Sequence, residues 1–163
     1  MAITLTINGR ERRLEAPANA TLLETLRENG YFEVKSGCEK GDCGACAVLV
    51  DGVALDSCLT LTWTVAGRAI TTVAGLSVGD TKHPLIESFE TTGAVQCGYC
   101  TPGLILAAQS MLAATPDPSD SEMREGLSGN LCRCTGYTKV FDAVREAAKT
   151  LREEPGRDEG TEA

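Results

Sequence analysis

Two short stretches of this chain each hold a close cysteine pair: Gln96-Cys97-Gly98-Tyr99-Cys100-Thr101-Pro102-Gly103 and Gly129-Asn130-Leu131-Cys132-Arg133-Cys134-Thr135-Gly136-Tyr137. In both, the last cysteine is followed by Thr and then by residues that read as a helix start. Thr as N-cap, with Pro102 at a first helical position, is expected to place each pair at a helix N-terminus. There, orphan N–H groups and the positive end of the helix dipole favour anionic thiolate. Four thiolates facing one another require a metal centre.

The other four cysteines follow Cys38-x4-Cys43-x2-Cys46-x11-Cys58, against Cys97-x2-Cys100-x31-Cys132-x-Cys134 for the second set. The first spacing is that of a plant-type [2Fe-2S] ferredoxin. Three ligands on one loop must wrap a core larger than a single ion, so the backbone has to approach closely. Gly37, Gly41 and Gly44 give it that freedom and let loop N–H groups point at sulfur, which raises the reduction potential. An oxidised cluster of this kind carries about −2, and about −3 after one electron, and so demands donors and dipoles. Arg133, Lys40 and the expected helix starts are placed to supply them.

Zinc also takes four cysteines, and Cys97-x2-Cys100 alone would suit it. However, Cys-x4-Cys-x2-Cys is unusual for zinc, and Cys132-x-Cys134 is tighter than a common zinc knuckle. Disulfides and a thioredoxin-like use of Cys97-Gly98-Tyr99-Cys100 are weaker alternatives, the second because its surroundings read as helical rather than βαβ. His83, the one histidine, precedes Pro84 and reads as a helix-entry residue. Trp63 and Phe89 read as core or interface anchors, and Tyr99 as a shield between ligands. No nucleophile–base pair, phosphate loop or carboxylate dyad is present, so the chain is expected to lack a substrate site of its own.

The elements that must hold these loops are legible in outline. Ile3, Leu5 and Ile7 alternate with Thr4 and Thr6, and Asn8-Gly9 is a hairpin dipeptide leading into a second strand over 12–16. Thr21 and Glu24 make a capping box for a helix carrying Leu22, Leu23 and Leu26, with Gly30 as its C-terminal cap. A strand at 47–50, the turn Asp51-Gly52, a return at 53–55 and a short strand at 69–73 complete a small mixed sheet with a helix across it. The pattern breaks at 75–80, giving expected units over residues 1–75 and 76–151. Beyond the break everything reads as helix. One begins at Pro84 with Leu85, Ile86 and Phe89 inward and Gly93 closing it. A second covers 102–114 with Leu104, Ile105, Ala108, Met111 and Leu112 on one stripe. A third is opened by the Ser119/Glu122 capping box, and a fourth covers 137–151. Residues 152–163 read as an acidic, disordered tail.

Bulk properties narrow the class. With 163 residues and only 4% aromatics, two small units would each have a thin core that bound metal could help hold. A formal charge of −8 argues against nucleic acid and anionic membrane as partners. Neither a signal-peptide core nor a membrane span is visible, so a cytoplasmic location is expected, where cysteine clusters are more often metal sites than disulfides.

With Gly37-Cys38-Glu39-Lys40-Gly41-Asp42-Cys43-Gly44-Ala45-Cys46 beside the two opening motifs, the chain resembles the small iron-sulfur subunit of molybdenum hydroxylases, the xanthine dehydrogenase, aldehyde oxidoreductase and carbon monoxide dehydrogenase family. The resemblance runs over residues 3–151. It implies an α+β chain in which an N-terminal β-grasp, plant-type ferredoxin-like domain precedes a C-terminal four-helix bundle domain. Each domain would hold one [2Fe-2S] cluster, through Cys38, Cys43, Cys46 and Cys58 and through Cys97, Cys100, Cys132 and Cys134. It further implies docking on a large molybdopterin-binding subunit, with Gln96 and Cys134 against the molybdenum cofactor's pterin, and on an FAD-binding medium subunit. The assembly would be a hetero-oligomer such as a dimer of heterotrimers. Electrons would pass from molybdenum through the helical-domain cluster and then the ferredoxin-like cluster to FAD. Ala47 stands where relatives often have Thr. A stand-alone ferredoxin-like carrier and a structural zinc protein are the competing readings.

Overall fold

A computed structural model describes residues 2–77 and 79–154. Strands β1 (Ala2–Ile7) and β2 (Arg10–Glu15) form an antiparallel hairpin with Ile7 paired to Arg10. Asn8 and Gly9 both have positive φ, 51° and 70°, the twist that a two-residue turn needs to bring right-handed strands together. Because so tight a turn allows pairing at once, β2 begins at Arg10, earlier than the residues 12–16 expected from sequence. Asp51 and Gly52 repeat the device, at 47° and 80°, between β3 (Ala47–Val50) and β4 (Val53–Asp56).

Strand β5 (Ala69–Thr71) lies between the two hairpins, parallel to β1 and antiparallel to β3, so the sheet order is β2-β1-β5-β3-β4. Helix α1 (Leu22–Glu28) has both halves of its capping box and buries Leu22, Leu23 and Leu26. Those leucines share a core with Ile3, Leu5, Ile7, Val48, Val50 and Ile70. This is the β-grasp arrangement. A short 3-10 turn, Thr62–Val65, carries Trp63, which is half-buried against this core with its indole N–H donating to the Pro17 carbonyl at 3.1 Å.

The helical unit comprises α2 (Pro84–Thr91), α3 (Thr101–Ala114), α4 (Asp120–Gly126) and α5 (Thr138–Glu153). His83 is the N-cap of α2: it is buried, and its Nδ1 accepts the Leu85 amide at 3.2 Å. Gly93, with φ 74°, turns the chain so that the Ala94 amide reaches the Phe89 carbonyl, closing the helix as expected. The Ser119/Glu122 capping box opens α4. Phe89, Leu85, Leu104, Val140 and Val144 lie in one core.

Three sequence expectations are corrected. Helix α3 is not one-sided. Every residue from Gly103 to Gln109 is buried, because the helix packs on β3 and β4 on one side and on α2 and α4 on the other. Neither Thr101 nor Thr135 is an N-cap: Cys100 caps α3 without a side-chain bond, and Tyr137, with φ 67°, precedes α5. The first residues of the expected tail are helical, since α5 runs to Glu153 and Arg152 bonds the Asp117 carboxylate and the Pro116 carbonyl, each at 2.8 Å. Residues 155–163 of that tail, and Val78 in the expected domain break, lie outside the described residues. Among the described residues no helix is long and apolar enough to cross a membrane.

Candidate metal centres

Each cysteine is placed by an element whose fold is explained above. Cys46 directly precedes the fully buried β3, and Cys58 follows β4; Ser57 joins them by donating its Oγ hydrogen to the Cys46 carbonyl at 2.7 Å. Cys38 and Cys43 lie on the loop before Cys46, where Gly41 and Gly44 take φ of 83° and 66°. A Cβ on Gly37 would come within 2.8 Å of the Cys43 sulfur, so the loop fits its thiols only with glycine there. The Cys38 thiol is drawn down to about 7 by the Lys40 amide, with help from the Asp42 amide, which donates to its sulfur at 3.2 Å. Loop N–H groups therefore face sulfur, as the glycine-rich sequence leads one to expect. The Lys40 ammonium instead pairs with Asp42 at 2.9 Å on the open surface.

In the helical unit, Cys97 and Cys100 precede α3, and Cys132 and Cys134 lie between α4 and α5. Burial alone would raise Cys132, but the Thr135 hydroxyl, 3.1 Å from its sulfur, and the Thr135 amide bring the thiol down to about 7. Burial pushes Cys100 up to about 12, and it also pushes Cys46 to about 12. Cys134 is raised chiefly by its hydrogen bond with Cys97.

The thiols meet in pairs: Cys38 with Cys43, Cys46 with Cys58, Cys97 with Cys134 and Cys100 with Cys132. All eight are free thiols, and no three His, Cys, Asp or Glu side chains among the described residues gather as a single ion would require. Thiols that meet two by two suit a two-iron cluster, in which each iron takes two thiolates. The pairs also differ in depth. Cys46 and Cys58 are buried and Cys100 and Cys132 half-buried, whereas Cys97 and Cys134 are exposed, as is the neighbouring Gln96. Tyr99 is exposed as well, so it acts less as a shield than as a tie, its hydroxyl donating to the Ser36 carbonyl.

Sequence reasoning missed the joint between the two loops. The Leu131 amide donates to the Cys43 carbonyl at 2.9 Å, which puts one ligand's backbone next to the residue preceding Cys132. Tyr137, left-handed in backbone, accepts the Cys132 amide at 2.7 Å and donates to the Asn130 carbonyl at 3.1 Å. Asn130, between Gly129 and Leu131 just before Cys132, was the available signal.

Replacing Thr135 with valine keeps its shape and removes its hydroxyl from the Cys132 sulfur. The helical-domain cluster is then expected to be harder to reduce, its potential falling by on the order of 50 mV, close to one tenfold step for a one-electron couple. A redox titration followed by electron paramagnetic resonance measures this, and an unchanged potential rejects it.

Fold and site together define a two-domain carrier of two [2Fe-2S] clusters. The model of the 2Fe-2S iron-sulfur cluster binding domain matches residues 5–69, and that of the [2Fe-2S] binding domain matches residues 72–145. The chain is 46% identical over 152 residues to the xanthine dehydrogenase iron-sulfur-binding subunit of Escherichia coli O157:H7, covering 92% of this chain and 96% of that one. It is 43% identical over 150 residues to the nicotinate dehydrogenase small FeS subunit of Eubacterium barkeri, covering 91% and 96%. Among solved structures, a chain of quinoline 2-oxidoreductase from Pseudomonas putida 86 superposes with a TM-score of 0.89 at 45% identity, covering 94% of this chain and 96% of that one. The chain belongs to the small iron-sulfur subunits of the molybdenum hydroxylases. It is the electron-transfer component of an oxidoreductase.

Proposed function

We propose that electrons enter this chain at the helical-domain cluster, cross to the ferredoxin-like cluster and leave to FAD. The proposed ligands are Cys97, Cys100, Cys132 and Cys134 for the first and Cys38, Cys43, Cys46 and Cys58 for the second, in domains spanning residues 76–151 and 1–75. The observation that carries the direction is the depth of the thiol pairs. Cys97 and Cys134, with Gln96, are open to a partner, while Cys100 and Cys132 are half-buried against the helical core. Gln96 can donate and accept hydrogen bonds at a polar ring edge, which supports a place for it and Cys134 against the pterin of the large subunit. On the inner side, Leu131 hydrogen-bonds Cys43 and is followed by Cys132, which gives a short covalent and hydrogen-bonded route between ligand sets.

The chain's own residues hold the clusters, aim amides at sulfur and set the spacing between domains. Bound there, each [2Fe-2S] group supplies one-electron storage. The assembly is a cytoplasmic hetero-oligomer with a large and a medium subunit, up to a dimer of heterotrimers, and the large subunit selects the substrate. The complex purified from cells is expected to contain this chain with both partners, four irons and four acid-labile sulfides per copy by the two-cluster count, and two distinct resonance signals. A chain that elutes alone, or that shows one signal, refutes the assignment.

A further inference from the structure

We propose that Asn130 is a positioning residue that locks the two cluster loops onto each other and so fixes the separation of the clusters. The inference rests on the relay proposed above. Asn130 ligates nothing and is 6% exposed. Its side-chain Nδ2 donates to the Gly44 carbonyl at 3.0 Å, across 86 positions of sequence, and Gly44 lies between the ligands Cys43 and Cys46. Its own backbone is held from the helical side: its amide donates to the Leu127 carbonyl at 3.0 Å, and its carbonyl accepts the Tyr137 hydroxyl. One amide side chain therefore connects a frame built by α4 and Tyr137 to the loop of the other domain.

The surroundings are shaped to that contact. A Cβ on Gly44 would lie 2.4 Å from Asn130 Nδ2 and 2.5 Å from the Gly129 carbonyl oxygen. A Cβ on Gly103, in the first turn of α3, would lie 2.2 Å from the Gly44 carbonyl oxygen and 3.2 Å from the same Nδ2. Glycine on both sides lets three backbones converge where only hydrogen fits. Two further bonds flank the Asn130 contact, from Leu131 to Cys43 and from Tyr99 to Ser36. A buried polar group that loses its partner is costly, so the loops have one preferred register. Electron tunnelling falls steeply with distance, so a change in the separation of the clusters changes the rate of transfer between them.

The test uses the intact complex and two variants, Asn130→Asp and Gly103→Ala. The first keeps the side-chain shape but turns a carboxylate oxygen toward the Gly44 carbonyl; the second drives a methyl group between the loops. With both clusters reduced, the magnetic splitting between them varies as the inverse cube of their separation, whichever way electrons run, so it reports on Asn130 independently of the relay's direction. The expected result is full iron and sulfide content, unchanged KM, an altered splitting and transfer between clusters slowed severalfold. A wild-type splitting in Asn130→Asp overturns the proposal. Should Asn130→Asp shed a cluster, Gly103→Ala decides: an altered splitting upholds the lock, and a wild-type splitting overturns it.

Discussion

Cys134→Ser is expected to stop electrons leaving the molybdenum centre, while Cys43→Ser lets them reach this chain and stops them before flavin. Serine keeps the size of cysteine but offers a hard, protonated oxygen where iron prefers thiolate. Cys134 lies on the exposed thiol pair beside Gln96, so in the proposed order its loss disables the cluster that first receives electrons. Turnover should fall by more than the roughly hundredfold that loss of an outer-shell partner already costs at metal sites. Cys43 belongs to the other set, and its carbonyl receives the Leu131 amide, so its substitution damages the receiving end of the route. Stopped-flow absorbance at the flavin band, with resonance spectra of samples quenched over the same interval, separates the two. In the Cys43 variant the helical-domain cluster should reduce at the wild-type rate with FAD left oxidised. Rapid flavin reduction in that variant refutes the proposed order.

The cysteine pattern was readable because ligand chemistry is local: a loop wrapping a two-iron core needs fixed spacings and small residues, and both appear in the sequence at 37–46. Hairpins and helix starts were readable for the same reason, since Asn8-Gly9, Asp51-Gly52, Thr21/Glu24 and Ser119/Glu122 act within four residues of themselves. What sequence did not reveal is tertiary. Nothing local distinguishes a Thr that caps a helix from Thr135, which instead gives its hydroxyl to the Cys132 sulfur. Nor could helical periodicity describe α3, because a helix covered on all sides has no solvent face to reveal its orientation. The contact of Asn130 with Gly44 joins residues 86 apart and has no period at all.

Leu49→Ala should destabilise both halves of the molecule together, because β3 serves two cores. Its sequence Ala-Val-Leu-Val is apolar throughout and buried throughout, the pattern of a strand covered on both faces. Successive side chains point to opposite faces. Val48 and Val50 accordingly join α1 and β1 in the ferredoxin-like core, while Leu49, 1% exposed, joins Phe89, Leu104 and Val144 in the helical core. Truncating it leaves a cavity between sheet and helices at a cost of about 3 kcal/mol, within the range for buried Leu→Ala. Leu5, 0% exposed, supplies the control, since it lies in the ferredoxin-like core. Leu5→Ala has a similar cost but should release the ferredoxin-like cluster first. In Leu49→Ala the two clusters should bleach in one transition at a lower temperature than in the wild type. The comparison is made by following cluster absorbance and far-ultraviolet circular dichroism through a thermal ramp. Loss of the ferredoxin-like cluster alone from Leu49→Ala would mean that the helical core does not depend on β3, against the place of Leu49 in that core.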